Sequence, residues 1–273
     1  MIEERENMKN KKMMSVLSLA ILGSSLLAPS VLAAEGGVYQ SNGLVKFVPD
    51  TDKTNPVDPL DPEKPVKPID PTNPENPDKP AEPGTDGPLS IDFASSFDFG
   101  ANKITSKDEI YYARAQRFNG YDNRPNYVQV TDKRGTNAGW VLNVKQDKQF
   151  ESDSTVNKEL TGAAVTLSNS EVNGLTVTER PKAFDVTLTP GKDQLIMSAE
   201  VGAGAGTWLD YWGDVEKITE KDEDGKDVVV DVTKSVTLSV PGKTAKNAKE
   251  YRTSFTWSLS DVPATGETET VTP

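Results

Sequence analysis

Apolar and polar residues alternate with a period of two along much of the chain beyond residue 88. Such alternation puts one set of side chains on a buried face and the other in water, as in an antiparallel strand. It is cleanest near the C-terminus. There Tyr251, Phe255, Trp257 and Leu259 would share one face, and Ser254, Thr256, Ser258 and Ser260 the other. The stretch Gly139-Trp140-Val141-Leu142-Asn143-Val144 repeats the pattern, with Trp140, Leu142 and Val144 on one face. Two copies of one Trp-x-Leu spelling suggest paired strands or a shared surface. The pattern predicts strands over 89–93, 97–104, 110–118, 127–131, 139–145, 163–167, 171–178, 184–188, 194–200, 228–232, 236–240 and 251–259. Asn173-Gly174, Pro190-Gly191, Asp224-Gly225 and Pro241-Gly242 supply turns between them. No amphipathic helix of three turns is visible, although 243–249 could form one short helical turn. Many short strands at this spacing predict an all-β domain over 89–263, an antiparallel β-sandwich or barrel with one sizeable core.

The chain before residue 89 has a different character. Residues 1–34 read as a signal peptide: Lys9, Lys11 and Lys12 precede an apolar run over 13–27, and cleavage fits after Ala33 or Ala34. The run is too short for a stop-transfer helix, so the chain is not expected to be an integral membrane protein. A strand-like piece follows at 43–48. From Pro56 to Pro83 a proline then falls at every third position. Proline lacks an amide donor and restricts its neighbour, so neither helix nor ladder is expected there. Polyproline II has three residues per turn, and 49–88 is expected to be a spacer or looped-out insertion, its proline run over 56–83 reaching roughly 85 Å at ~3.1 Å per residue. Residues 35–48 are expected to form an N-terminal strand segment of the domain, with 43–48 paired into the main sheet, and 264–273 to form a flexible tail.

Composition removes much chemistry. The chain has 273 residues with no Cys and no His. A Ser-His-Asp triad, a Cys nucleophile, a thiolate metal cage and a disulfide are all excluded. The formal net charge of −12 argues against nucleic acid, whose phosphates need Lys and Arg stripes. It argues equally against simple charge attraction to anionic wall polymers. Carboxylates are plentiful, but no acidic pair stands out for glycosidase-type work. No enzyme activity, cofactor or metal is expected.

Three further motifs have ordinary readings beside functional ones. Thr207-Trp208-Leu209-Asp210-Tyr211-Trp212-Gly213 could stack on sugar rings through Trp208, Tyr211 and Trp212, or could cap a core as a loop. The acidic stretch 220–231 superficially resembles a calcium loop, but it lacks flanking helices and reads as a solvated hairpin between 215–218 and 228–232. Val262-Pro263-Ala264-Thr265-Gly266 has the lettering of a sortase signal without the apolar segment and basic tail that covalent anchoring needs.

The context of the two Trp-x-Leu copies is more specific than the copies alone. The first follows Thr131-Asp132-Lys133-Arg134-Gly135 and Gly139; the second follows Tyr251 and Phe255 and precedes Asp261 and Pro263. Taken together, the chain resembles the WxL-domain family of Gram-positive surface proteins. Phe255 stands where the family usually has Leu. Segments around 36–49, 89–100 and 206–213 are also similar, so the resemblance covers nearly the whole chain after the signal peptide. It implies non-covalent attachment to the cell wall, with peptidoglycan as ligand and a membrane-tethered WxL-interacting surface protein as partner. The alternative is an interaction protein that reaches the wall only through that partner. Trp140, Leu142, Trp257 and Leu259 are then candidate binding residues with Trp208, Tyr211 and Trp212. On one strand face they serve equally well as core.

Overall fold

A computed structural model describes residues 36–261, except 74, 75, 77, 154, 155 and 223. The signal peptide with Ala33 and Ala34, the sortase-like lettering with Pro263, and the expected tail lie outside the described residues. The chain divides into two units, Met1–Val45 and Lys46–Pro273. In the first, residues 36–45 carry no regular structure, and Val38, Tyr39, Leu44 and Val45 are exposed. Phe47 and Val48, which open the second, are exposed too and also lie outside any strand. The strand expected over 43–48 is therefore not formed.

The second unit is all-β, with no helix among the described residues. Its strands in chain order are β1 (Leu89–Ala94), β2 (Glu109–Arg114), β3 (Gln116–Phe118), β4 (Tyr121–Arg124), β5 (Tyr127–Asp132), β6 (Trp140–Gln146), β7 (Ala164–Leu167) and β8 (Ser170–Gly174). They continue as β9 (Lys182–Ala183), β10 (Val186–Thr187), β11 (Asp193–Ala199), β12 (Gly206–Trp212), β13 (Val215–Lys221), β14 (Asp227–Val240) and β15 (Phe255–Ser260). Pairing is antiparallel throughout the named strands. One sheet has the order β1-β5-β12-β8. A second has β15-β6-β11-β9. A third has β10-β7-β14-β13, with β2 also on β14; β3 and β4 form a small ribbon. No sheet closes on itself, so the sandwich form of the expected class is the one observed.

The main core is shared by all three sheets. Val128, Trp140, Leu142, Leu167, Trp208, Trp212 and Val236 belong to one buried cluster. Burial along β6 alternates strictly, as the sequence pattern requires. All six residues of β5 are buried, which means that both faces of the first sheet are covered.

The cover on the outer face is the proline-rich segment. It is not an extended spacer. Val57 bridges Pro65 and Ile69 bridges Pro80, which closes two short loops. Val66 packs with Phe93, Phe118, Tyr127 and Leu209 in a second apolar cluster. The amides that the prolines leave available are used: Val66 donates to Pro56, Ile69 to Arg117 and Ala81 to Pro68. Two polar anchors fix the segment to the sheet. Gln129 accepts from the Val57 amide at 2.8 Å and donates to the Asn55 carbonyl at 3.1 Å. Arg124 Nε donates to both oxygens of the buried Asp58 carboxylate at 2.9 Å.

Other departures have local causes. Residues 97–104 form no strand, because Phe97 and Phe99 turn into the core and Asn102 Nδ2 donates to the carbonyls of Phe99 and Gly100. The strands expected at 228–232 and 236–240 are one long β14, with a register shift between Thr233 and Thr237. The acidic stretch forms the β13–β14 hairpin, as its solvated reading requires. Residues 243–249 make turns and bends, not helix.

Candidate functional site

The two Trp-x-Leu strands are direct neighbours. β15 pairs with β6 so that Trp257 faces Val144 and Leu259 faces Leu142. The inward row of β15 is half-buried and the outward row exposed. Thr256 and Ser254 on the outward side donate their hydroxyls to the Asp147 carboxylate, and these bonds hold that carboxyl below its usual range.

Trp140 is a core residue. It has no exposed surface, and its indole Nε1 donates to the Gly204 carbonyl at 3.0 Å. Leu142, Trp208 and Trp212 are buried to the same degree. Side chains without solvent-facing surface do not reach a wall polymer, so as direct ligand contacts these four positions are corrected to core. The capping-loop reading of 207–213 is corrected as well. This stretch is β12, a central strand of the first sheet, and alternation sends Trp208 and Trp212 inward and Leu209 outward under the proline-rich cover. Tyr211 shares that outer side. Its hydroxyl donates to Glu171 at 2.7 Å, and its pKa is pushed up to about 12, first by burial and then by Glu171.

The remaining motif residues form a clamp at the start of β6. Arg134 Nε and Nη2 donate to the two oxygens of the buried Asp132 carboxylate at 3.0 and 2.8 Å, and Nη2 also donates to the Gly139 carbonyl at 2.7 Å. Gly135 turns the chain with a φ of 70°. Gly139, at φ 77°, lies where a Cβ would come within 2.4 Å of the Ala199 carbonyl oxygen. Asp261 is exposed and adds to the negative field at Arg134.

The surface feature beside these strands was not predicted. A groove of about 1260 Å³ opens next to β15, and a smaller cleft of about 290 Å³ adjoins it. Trp257 lines both. The floor is aromatic: Phe97 meets Phe255 edge-on at 5.2 Å and Trp212 at 5.9 Å, and Trp212 stacks on Trp257 at 6.3 Å. Tyr251 stands at the rim, its hydroxyl accepting from the Asn247 amide and donating to the Asn157 carbonyl. Trp257 is therefore the one tryptophan of the four with solvent-facing surface, and the buried Trp212 holds it from behind. In the sequence, the half-apolar pattern of 251–259 named this strand face. The contribution of residues 94–104 to the groove carried no sequence signal, because 97–104 reads as a strand.

No group of three or more acidic residues is placed to hold a metal among the described residues, and no helix there is long and apolar enough to cross a membrane. No curated protein and no solved structure matches the chain. A family model does: the WxL domain, described as surface cell wall-binding, matches residues 34–263. With both Trp-x-Leu strands, their turn clamp and the groove inside that span, the chain belongs to the WxL family of surface cell wall-binding domains.

Proposed function

We propose that peptidoglycan is the wall ligand of this chain and that it lies in the groove against Trp257. One observation carries this reading: Trp257 alone among the tryptophans is partly exposed, and it lines both the groove and the adjoining cleft. An aromatic face offers a sugar ring apolar area at low entropic cost. The polar groups around the floor suit hydroxyl and amide partners. The test is co-sedimentation with protein-free peptidoglycan. Trp257→Ala removes the platform, and Ala248→Trp fills the groove from an exposed lining position. Each variant is first shown by circular dichroism to be folded. Both are expected to bind about tenfold more weakly or worse, the equivalent of ~1.4 kcal/mol. Unchanged binding by both folded variants would remove the groove from the reading.

A second reading, in which a membrane-tethered surface protein carries the chain to the wall, is favoured by a different feature. Residues 38–48 present Val38, Tyr39, Leu44, Val45, Phe47 and Val48 to solvent in a strand-like sequence. An extended apolar segment of this kind suits addition to the sheet edge of a partner. Binding to bare peptidoglycan without any partner decides between the two.

A further inference from the structure

The groove differs in charge from the chain that carries it. The chain has 42 acidic and 30 basic residues. Among the described residues the groove lining reverses that balance, with five basic residues and three acidic. Ion pairing sharpens the reversal. Two of the basic residues are already neutralised, Lys221 by Asp227 and Arg252 by Glu250. The other three, Lys103, Lys246 and Lys249, have no carboxylate partner among the described residues. The two remaining acids, Asp98 and Asp222, each accept a backbone amide, from Gly100 and Lys226, at 2.8 Å. These three lysines sit on adjoining segments. Lys246 Nζ donates to the Thr105 carbonyl at 3.0 Å, which brings the turn carrying Lys246 and Lys249 against the loop carrying Lys103.

We propose that the groove selects the carboxylate-bearing peptide part of peptidoglycan: Lys103, Lys246 and Lys249 meet the carboxylates, and the aromatic floor meets the neutral remainder. This rests on the groove reading given above and names the chemistry that the groove prefers. Screening makes it workable in an acidic protein. The Debye length is ~8 Å at physiological ionic strength, so a ligand in the groove feels these lysines more than acids on distant faces. The same acidity weighs against a densely charged phosphate polymer, whose repeating anions would run past three lysines onto an acid-rich surface. A wall peptide carries few carboxylates, with neutral sugar between attachment points, and suits a small cationic patch beside an aromatic floor.

The experiment compares binding of the mature chain to three walls: protein-free peptidoglycan, the same material with its carboxylates converted to amides by carbodiimide and ammonia, and wall that still carries phosphate polymer. The triple variant K103Q/K246Q/K249Q is run beside Lys192→Gln, a basic residue outside the groove. Exposed charge pairs are individually weak, so the triple change is expected to weaken binding about three- to thirtyfold. Amidation is expected to do the same to the parent chain, and K192Q to do nothing. Equal binding to native and amidated peptidoglycan, with the triple variant unaffected, would overturn the carboxylate preference while leaving the groove reading standing. Much tighter binding to phosphate-bearing wall, lost in the triple variant, would overturn it in favour of the phosphate polymer. No binding of the parent chain to any peptidoglycan would overturn both.

Discussion

Trp140 owes its place to what surrounds its ring nitrogen. The indole would be an unsatisfied donor in the core without the Gly204 carbonyl. Gly204 in turn tolerates no side chain, since its φ is 74° and a Cβ there would come within 2.3 Å of the Ala199 Cβ and 2.7 Å of the indole nitrogen. Tryptophan and glycine are thus two halves of one packing unit. Trp140→Ala is expected to cost about 3–5 kcal/mol by chemical denaturation, the range for truncating a large buried aromatic. Wall binding lost in that variant would report unfolding, whereas Trp257→Ala tests the surface. If Trp140→Ala melts within a degree or two of the parent, the core assignment is wrong. The sequence contained the Trp-x-Leu motif but not this distinction. Both copies alternate identically, and what separates them is long-range: β6 is covered on both edges by β15 and β11, while β15 is the outermost strand of its sheet.

At the scale of elements, the proline-rich segment departs furthest from its sequence reading. Prolines every third residue report the backbone, which neither helix nor ladder can use. They carry no information about what the segment lies against. What seats it is the burial of Asp58, Val66 and Ile69 together with only two of the described prolines, Pro59 and Pro68, which the regular spacing does not single out. The β12 strand was obscured by the same cover. Leu209 is buried on one face and Trp208 on the other, so the period-two alternation that marks a half-wet strand is absent. Where one face does meet water, as on β15, the pattern alone gave the strand and its inward residues. The cover's attachment can be tested at Arg124. Removing its guanidinium leaves Asp58, 1% exposed, as an uncompensated buried carboxylate. Arg124→Ala is expected to cost about 3–5 kcal/mol. It should also open 56–83 to limited proteolysis under conditions where the parent resists. Cleavage at parental rates would mean that the cover is held mainly by Val66 and Ile69.

For the molecule as a whole, the absence of histidine makes its pH response unusually simple to assign. No imidazole titrates between pH 5 and 8. Two buried carboxyls, one associated with each face of the first sheet, dominate instead. Asp210 lies on the inner side with neither oxygen hydrogen-bonded, and burial pushes its pKa well up. Nearby Asp185 pushes it further, and the Ser170 hydroxyl, turned to the Phe184 carbonyl, offsets only part of the rise. Asp92 accepts from Ser90, Gln129 and Thr131, yet burial still raises its pKa above the ordinary carboxylate value. For a carboxyl raised on folding, the stability it contributes is fully present below the unfolded-state pKa, near 4. It is lost as pH rises from there through the folded pKa, because the unfolded chain ionises first. The net charge of −12 acts in the same direction, since acid relieves self-repulsion. The melting temperature is therefore expected to rise as pH falls from 8 towards 5. It should turn downward at lower pH, where carboxylates held below their usual range, such as Asp147 and Asp231, take up protons. Asp210→Asn isolates the buried contribution. It should stabilise the chain at pH 8, by an amount that shrinks as pH falls towards 4, and so flatten the profile. A variant profile parallel to the parent's across that window would show that Asp210 is ionised in the folded chain, and that solvent or a counter-charge reaches it inside the sheet.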